Sequence, residues 1–132
     1  MADRNTPMMD AELVVVCVAG ATLLEAGKMG AVNATGYAVP AADAAGLTVL
    51  GRIETHIDNR LGSDGAESVT LRRKRAFKFD NDGTNPVTSV QVGQTVYVVD
   101  AETVSSDGGT NSITAGKCVG LESDGGVWIE IA

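Results

Sequence analysis

The sequence predicts an all-β protein, a small sandwich or barrel of about eight short strands behind a flexible N-terminal arm. Three observations predict it. Sixteen glycines are spread through 132 residues, which leaves little room for long helices. Hydrophobic residues make up 44% of the chain but aromatics only 4%, so the core must be built from small and branched side chains, which suit a pleated surface. The clearest periodicity in the chain, over Leu47–Asp58, is two rather than 3.6.

Residues 1–11 are polar, contain Pro7 and have no periodicity; they are expected to form a flexible arm, and residues 12–132 a single β domain. The run ELVVVCVAG, Glu12–Gly20, is β-branched and short, and reads as a strand buried on both faces. The segment Thr22–Ala41 carries Gly27, Gly30 and Gly36, a spacing that suits short strands joined by tight turns. Asn33–Gly36 is a turn candidate because Asn and Gly tolerate positive φ. Ala41–Gly46, AADAAG after Pro40, has the composition of one helical turn closed by glycine. Alanine used this freely outside helices is expected to fill narrow spaces between closely packed strands and turns, or to let backbones approach across a subunit contact.

In Leu47–Asp58, alternation puts Leu47, Val49, Ile53 and Ile57 on one face and Thr48, Arg52, Glu54, His56 and Asp58 on the other, the pattern of one strand with a wet side. Residues 59–67 read as loop, 68–79 as the next strand and 80–86 as a second loop. Residues 87–100 read as strand, with a bulge or bend at Gly93, and 102–112 as a long polar loop. Two final strands, 113–122 and 126–132, flank the tight turn SDGG.

The formal net charge of −7 argues against general binding to nucleic acid or anionic membrane, since phosphate contacts need clustered cations. No apolar run reaches membrane-spanning length, and the first twelve residues lack the apolar centre of a secretory signal, so synthesis in the cytoplasm is expected. Cys17 and Cys118 lie in apolar segments and are expected to be buried thiols; they could join only if their strands are neighbours. Without a CxxC pair or a Cys/His cluster, a zinc site is not expected. His56 is the only histidine; between Glu54 and Asp58 on a wet strand face it reads as a solvated residue, and no catalytic residues are assigned. The loops Asp80–Pro86 and Ser105–Ser112 resemble calcium loops only faintly, lacking the full set of alternating ligands. No metal or cofactor is assigned.

The strongest anomaly is RRKRAFK. Arg72, Arg73, Lys74, Arg75 and Lys78 are half of the chain's ten basic residues. Alternation that buries Val69, Leu71, Phe77 and Phe79 would also turn Arg73 and Arg75 inward, at high cost if unpaired. Either a bulge shifts the register, or the strand leaves the core there and its arginines meet carboxylates. These five residues are the candidate interface to an acidic partner surface or a sister subunit. Stacking aromatics are not interleaved among them, which disfavours nucleic acid.

Three pieces, the basic strand ending FKFDN, then VGQTVYVVDAETV, then AGKCVGLESDGGVWIEI, resemble the small structural proteins that decorate or cement the capsids of tailed bacteriophages and prophages. The first half, GAVNATGYAVPAADAAGLTVLGRIETHIDN, is compatible, so the resemblance spans about residues 12–132. It implies a non-enzymatic virion component, bound to the outer surface of the major capsid protein lattice and commonly homo-oligomeric, with a trimer favoured. It implies no catalytic residues. A head fibre or spike, or a β-module binding sugar or calcium, is the alternative.

Overall fold

The computed structural model describes residues 2–132. The chain forms β1 (Leu13–Cys17), β2 (Thr22–Leu24), β3 (Met29–Val32), β4 (Ala38–Pro40), β5 (Thr48–Ile53), β6 (Ile57–Asn59), β7 (Ser68–Arg72), β8 (Arg75–Asn81), β9 (Thr95–Val98), β10 (Thr103–Ser105), β11 (Thr114–Leu121) and β12 (Val127–Ile131), with one 3-10 turn at Ser89–Gln91. The all-β class holds, with no α-helix among the described residues. The strands number twelve rather than eight: the predicted strands 47–58 and 68–79 are each broken in two, and β10 lies within residues 102–112, a segment expected to be loop.

The strands make three sheets: a five-stranded sheet in the order β1-β7-β5-β3-β4, a closed barrel β10-β8-β12-β11-β9, and the ribbon β2-β6. A single parallel bridge between Val18 and Ala38 joins the end of β1 to β4, the opposite edge of the first sheet. That sheet therefore curls nearly shut. Its interior holds Val18, Leu24, Ala38, Ile53, Val69 and Leu71. The barrel encloses a second cluster that includes Phe77, Phe79, Val96, Val104, Val127 and Ile129.

Strand β3 stitches the two clusters together. Met29 and Ala31 belong to the barrel's cluster. Gly30 between them faces the other way: a Cβ there would lie 2.7 Å from Leu71 Cδ2. Gly51, its partner on β5, is required by close approach, because a Cβ would collide with the Arg72 carbonyl oxygen. Buried Ala31, Ala38, Ala41 and Ala115 bear out the reading of alanine as filler between closely spaced strands.

Five expectations are corrected. Leu47, Val49, Ile53 and Ile57 do not share a face. The β3–β5 register shifts between Gly30↔Gly51 and Ala31↔Val49, leaving Leu50 as an extra residue that reverses the alternation. Leu47 and Val49 pack against the barrel's cluster, while Ile53 and Ile57 join the other. The strand also ends at Ile53, and His56 is exposed in the break before β6. The helical turn predicted at Ala41–Gly46 is absent; the chain turns at Ala45–Gly46, with Gly46 at φ +81, and Asp43 instead accepts hydrogen bonds from the backbone N–H groups of Thr110 and Asn111 (3.0 and 2.9 Å). Finally, β1 is not buried on both faces. It is the sheet's terminal strand, with Leu13, Val15 and Cys17 exposed. Cys17 is thus an exposed thiol, Cys118 a buried one, and both are free.

The predicted turns stand. Asn33 Oδ1 accepts hydrogen bonds from Thr35 and Tyr37 N–H, closing a turn with Gly36 at φ +89. Gly93, at φ +85, bends the chain after the 3-10 turn. Gly125, at φ +92, serves the turn between β11 and β12.

Candidate partner interface

The basic run occupies the crossing between the two β bodies. Arg72 ends β7, paired with Leu13 of β1 and Arg52 of β5. Arg75 begins β8, paired with Ile131 of the barrel. Only Arg73 and Lys74 lie between. Arg73 N–H donates to the Glu12 carbonyl (2.8 Å) and Lys74 N–H to the Ile131 carbonyl (2.6 Å). Lys74 takes a left-handed backbone, φ +61, the conformation that lets one continuous strand leave one sheet and enter another. This resolves the parity conflict. The strand leaves its first core at Arg72, so Val69 and Leu71 serve one cluster and Phe77 and Phe79 the other.

The arginines there meet carboxylates. Glu12 Oε1 accepts from Arg72 Nη1 (2.6 Å) and pairs with Arg75 Nη2 (2.8 Å). Glu54 Oε1 accepts from Arg52 Nη2 at 2.6 Å and lies 3.4 Å from Arg72 Nε. The hydrogen bond that Arg72 donates to Glu12 raises the Arg72 pKa above its ordinary value, and the hydrogen bond from Arg52 lowers that of Glu54. The Arg52 guanidinium lies over the Phe77 ring, 4.8 Å from its centroid, where a cation is attracted to the π face. Three arginines share two carboxylates. Arg73 and Lys74 make no ion pair among the described residues, and Arg73 Nε is buried without a hydrogen-bond partner. The crossing keeps a local positive excess on a chain of net charge −7.

Of the five predicted residues, Arg72, Arg73, Lys74 and Arg75 are brought together, and Lys78 is not. Lys78 Nζ donates to Asp124 Oδ2 (2.6 Å) at the β11–β12 turn, which raises its pKa. The sequence reading missed Glu12, Arg52 and Glu54. The alternating charges Arg52 and Glu54 were visible, but only the pairing of β5 with β7 brings them to Arg72.

Glu12 also roots the N-terminal segment. Residues 2–10 have no secondary structure and are exposed, with Met8 99% and Met9 77% accessible. They lead through Ala11 and Glu12 directly into β1, whose outward side chains include Val15, 70% accessible.

A cleft of about 530 Å³ lies between Leu47–Val49 and the barrel segments Ser112–Lys117 and Glu130–Ala132; its ionisable side chains are Lys117 and Glu130. The loops 80–86 and 105–112 come together, with the Asn85 carbonyl accepting from Ser105 Oγ and Ser106 N–H. Their acidic groups serve the loops themselves: Asp82 accepts from Thr84 and Asn85 N–H, and Asp107 from Gly109 N–H. Among the described residues no three His, Cys, Asp or Glu side chains are placed to share a metal ion. No helix there is long and apolar enough to cross a membrane. The chain matches no protein-family model, no curated protein and no solved structure.

Proposed function

We propose that this chain is a non-enzymatic structural protein of a tailed-phage or prophage virion, which decorates the capsid exterior by binding the outer surface of the major capsid protein lattice. The observation that supports it best is the exposed N-terminal segment with Met8 and Met9, rooted through Glu12 on the crossing between two β cores. A decorating protein needs a stiff body and many weak contacts repeated by the symmetry of the lattice. Such contacts add through effective concentration without any one strong site. The two clusters, joined through β3, supply the stiffness. The exposed segment supplies a strap that orders on docking. The Arg73–Lys74 excess is available to an acidic patch on the coat protein. Assembly as a homo-oligomer, with a trimer favoured, belongs to the same proposal.

The test is attachment to capsid shells that lack this chain. The full chain is expected to co-sediment with shells, and a chain without residues 1–11 is expected to keep its circular dichroism spectrum and melting temperature but bind more weakly. Undiminished attachment removes the segment from the mechanism. No attachment by the full chain removes the capsid reading itself.

A further inference from the structure

The turn after β6 holds a leucine out in water on a loop that the fold keeps stiff. Leu61 is fully exposed, yet the loop around it, residues 59–66, is tied down. The Asn59 side chain is buried, and its Nδ2 donates to the carbonyls of Ala19 and Ser63 (2.9 and 3.0 Å). Gly62 N–H donates to the Asn59 carbonyl, Ala21 N–H to the Gly62 carbonyl and Gly65 N–H to the Val18 carbonyl. Gly20 N–H donates to Asp64 Oδ1 (2.7 Å). A Cβ at Gly62 would collide with Asn59 Oδ1, so the turn is as tight as only glycine permits. Single exposed leucines are ordinary on a surface. A leucine at the tip of a loop bonded this thoroughly is a preordered anchor, because docking it costs little further entropy.

The cleft between Leu47–Val49 and the barrel has the converse features. Its walls include Leu47, Val49, Ile113, Ala115 and Ile131, and its volume of about 530 Å³ is of the size that receives small ligands and side chains. Lys117 and Glu130 face each other across β11 and β12 and line it. Neither makes an ion pair among the described residues. The loop carries the matching charges: Arg60 just before Leu61, held by Asp58 at 2.8 Å, and Asp64 after it, both exposed. One copy cannot join its own loop to its own cleft. In the register Leu13↔Arg72↔Arg52, the loop's attachments at Val18–Ala21 lie beyond one end of β7, and Leu47–Val49 beyond the other.

We infer that the cleft receives Leu61 of a second copy, with Lys117 meeting that copy's Asp64 and Glu130 its Arg60. Charge favours this occupant. Copies of a chain of net charge −7 repel one another, but here each side brings one cation and one anion, and the middle of the contact is apolar. The contact is head-to-tail: each copy offers a loop at one end of its first sheet and a cleft at the other. Such contacts close into rings or run on as filaments. An isologous contact joins copies in pairs, so a trimer of the kind proposed above needs a contact of this class. Each contact is small, and closure of a ring lets the contacts reinforce one another. The inference stands on the loop and the cleft and does not rest on the capsid reading.

The test is sedimentation velocity on the full chain and two variants, alone and mixed. The wild type is expected to self-associate as its concentration rises, and less so as salt rises. Leu61→Ala is expected to weaken association by about 10- to 100-fold, the worth of one leucine side chain leaving water. Leu61→Asp should abolish it with an unchanged melting temperature, since Leu61 is fully exposed. Thr114→Trp, at an exposed position on the cleft wall, should block the cleft and also give a monomer. Thr48→Trp, on the opposite wall, replaces it if Thr114→Trp lowers the melting temperature. A mixture of Leu61→Asp and the blocked-cleft variant keeps one good loop and one good cleft. It is therefore expected to form a one-to-one pair and nothing larger. A wild-type chain that stays monomeric at its highest soluble concentration overturns the inference. So does an assembly that Leu61→Asp leaves intact, or a mixture of the two variants that stays monomeric. Association kept in Leu61→Asp but lost on removing residues 1–11 would assign the contact to the arm and overturn it too.

Discussion

Gly30 and Leu71 offer a double substitution whose two halves should compensate. Leu71 is fully buried and Gly30 faces it, with a Cβ at position 30 falling 2.7 Å from Leu71 Cδ2 and 3.1 Å from Ile53 Cγ1. Alone, Leu71→Ala removes most of a buried side chain and leaves a cavity, at a cost of about 2–5 kcal/mol. Alone, Gly30→Ala overpacks the same space and costs about 1–3 kcal/mol. Together, the new methyl enters the space the leucine vacated. The clash disappears, and the methyl restores about 0.8 kcal/mol of burial. Gly30→Ala should thus change sign, from destabilising in the wild-type background to neutral or stabilising in the Leu71→Ala background. The coupling should be about 2–3 kcal/mol, within the range seen for contacting residues. Urea unfolding of the four proteins, followed by circular dichroism with equal m-values, measures it. Additive costs would mean that Gly30 does not face Leu71, and the assignment of β3 to two cores would fall.

Other predictions concern the crossing, the buried polar groups and acid. Lys74→Gly relieves the left-handed backbone and should raise stability by up to about 1 kcal/mol, whereas Lys74→Val should lower it by more than that, both read from denaturant midpoints. Asn59 Nδ2 donates to the carbonyls of Ala19 and Ser63, so Asn59→Ala leaves buried acceptors unmet and should cost about 1–3 kcal/mol in thermal or urea unfolding. The carboxylates of Asp43, Asp58 and Asp124 are held below their ordinary 3.8, by Thr110 N–H, the Arg60 guanidinium and Lys78 respectively, with Asp58 down to about 2. A depressed carboxylate stabilises the fold above its unfolded pKa and loses that contribution as pH falls through the folded value. The melting temperature should therefore be flat near neutrality and fall below about pH 4, with Asp43→Asn showing a shallower fall.

The fold class was legible because it rests on composition and local chemistry. Gly36 and Gly125 mark turns that need positive φ, and Val69, Leu71, Phe77 and Phe79 are apolar wherever the strand goes. What stayed hidden depends on pairing between distant segments. Leu50 looks like any strand residue, and only the register against β3 makes it the extra one that reverses the face. LVVVC reads as a doubly buried strand, and only the sheet order makes it an edge with Val15 and Cys17 in solvent. The basic run announced a conflict of parity without its solution, which lies at Lys74, where one strand passes between two sheets. Glu12 carries no signal of its own; it becomes the anchor of Arg72 and Arg75 because β1 lies beside β7.

The measurement that most directly tests the proposed capsid role is an electron-microscopy reconstruction of a virus particle made with this chain present and with it absent. The account predicts difference density on the outside of the coat lattice, matching the β body in size, with the segment before β1 lying along a coat subunit. A particle whose exterior is the same without the chain, or density confined to its interior or tail, would contradict it.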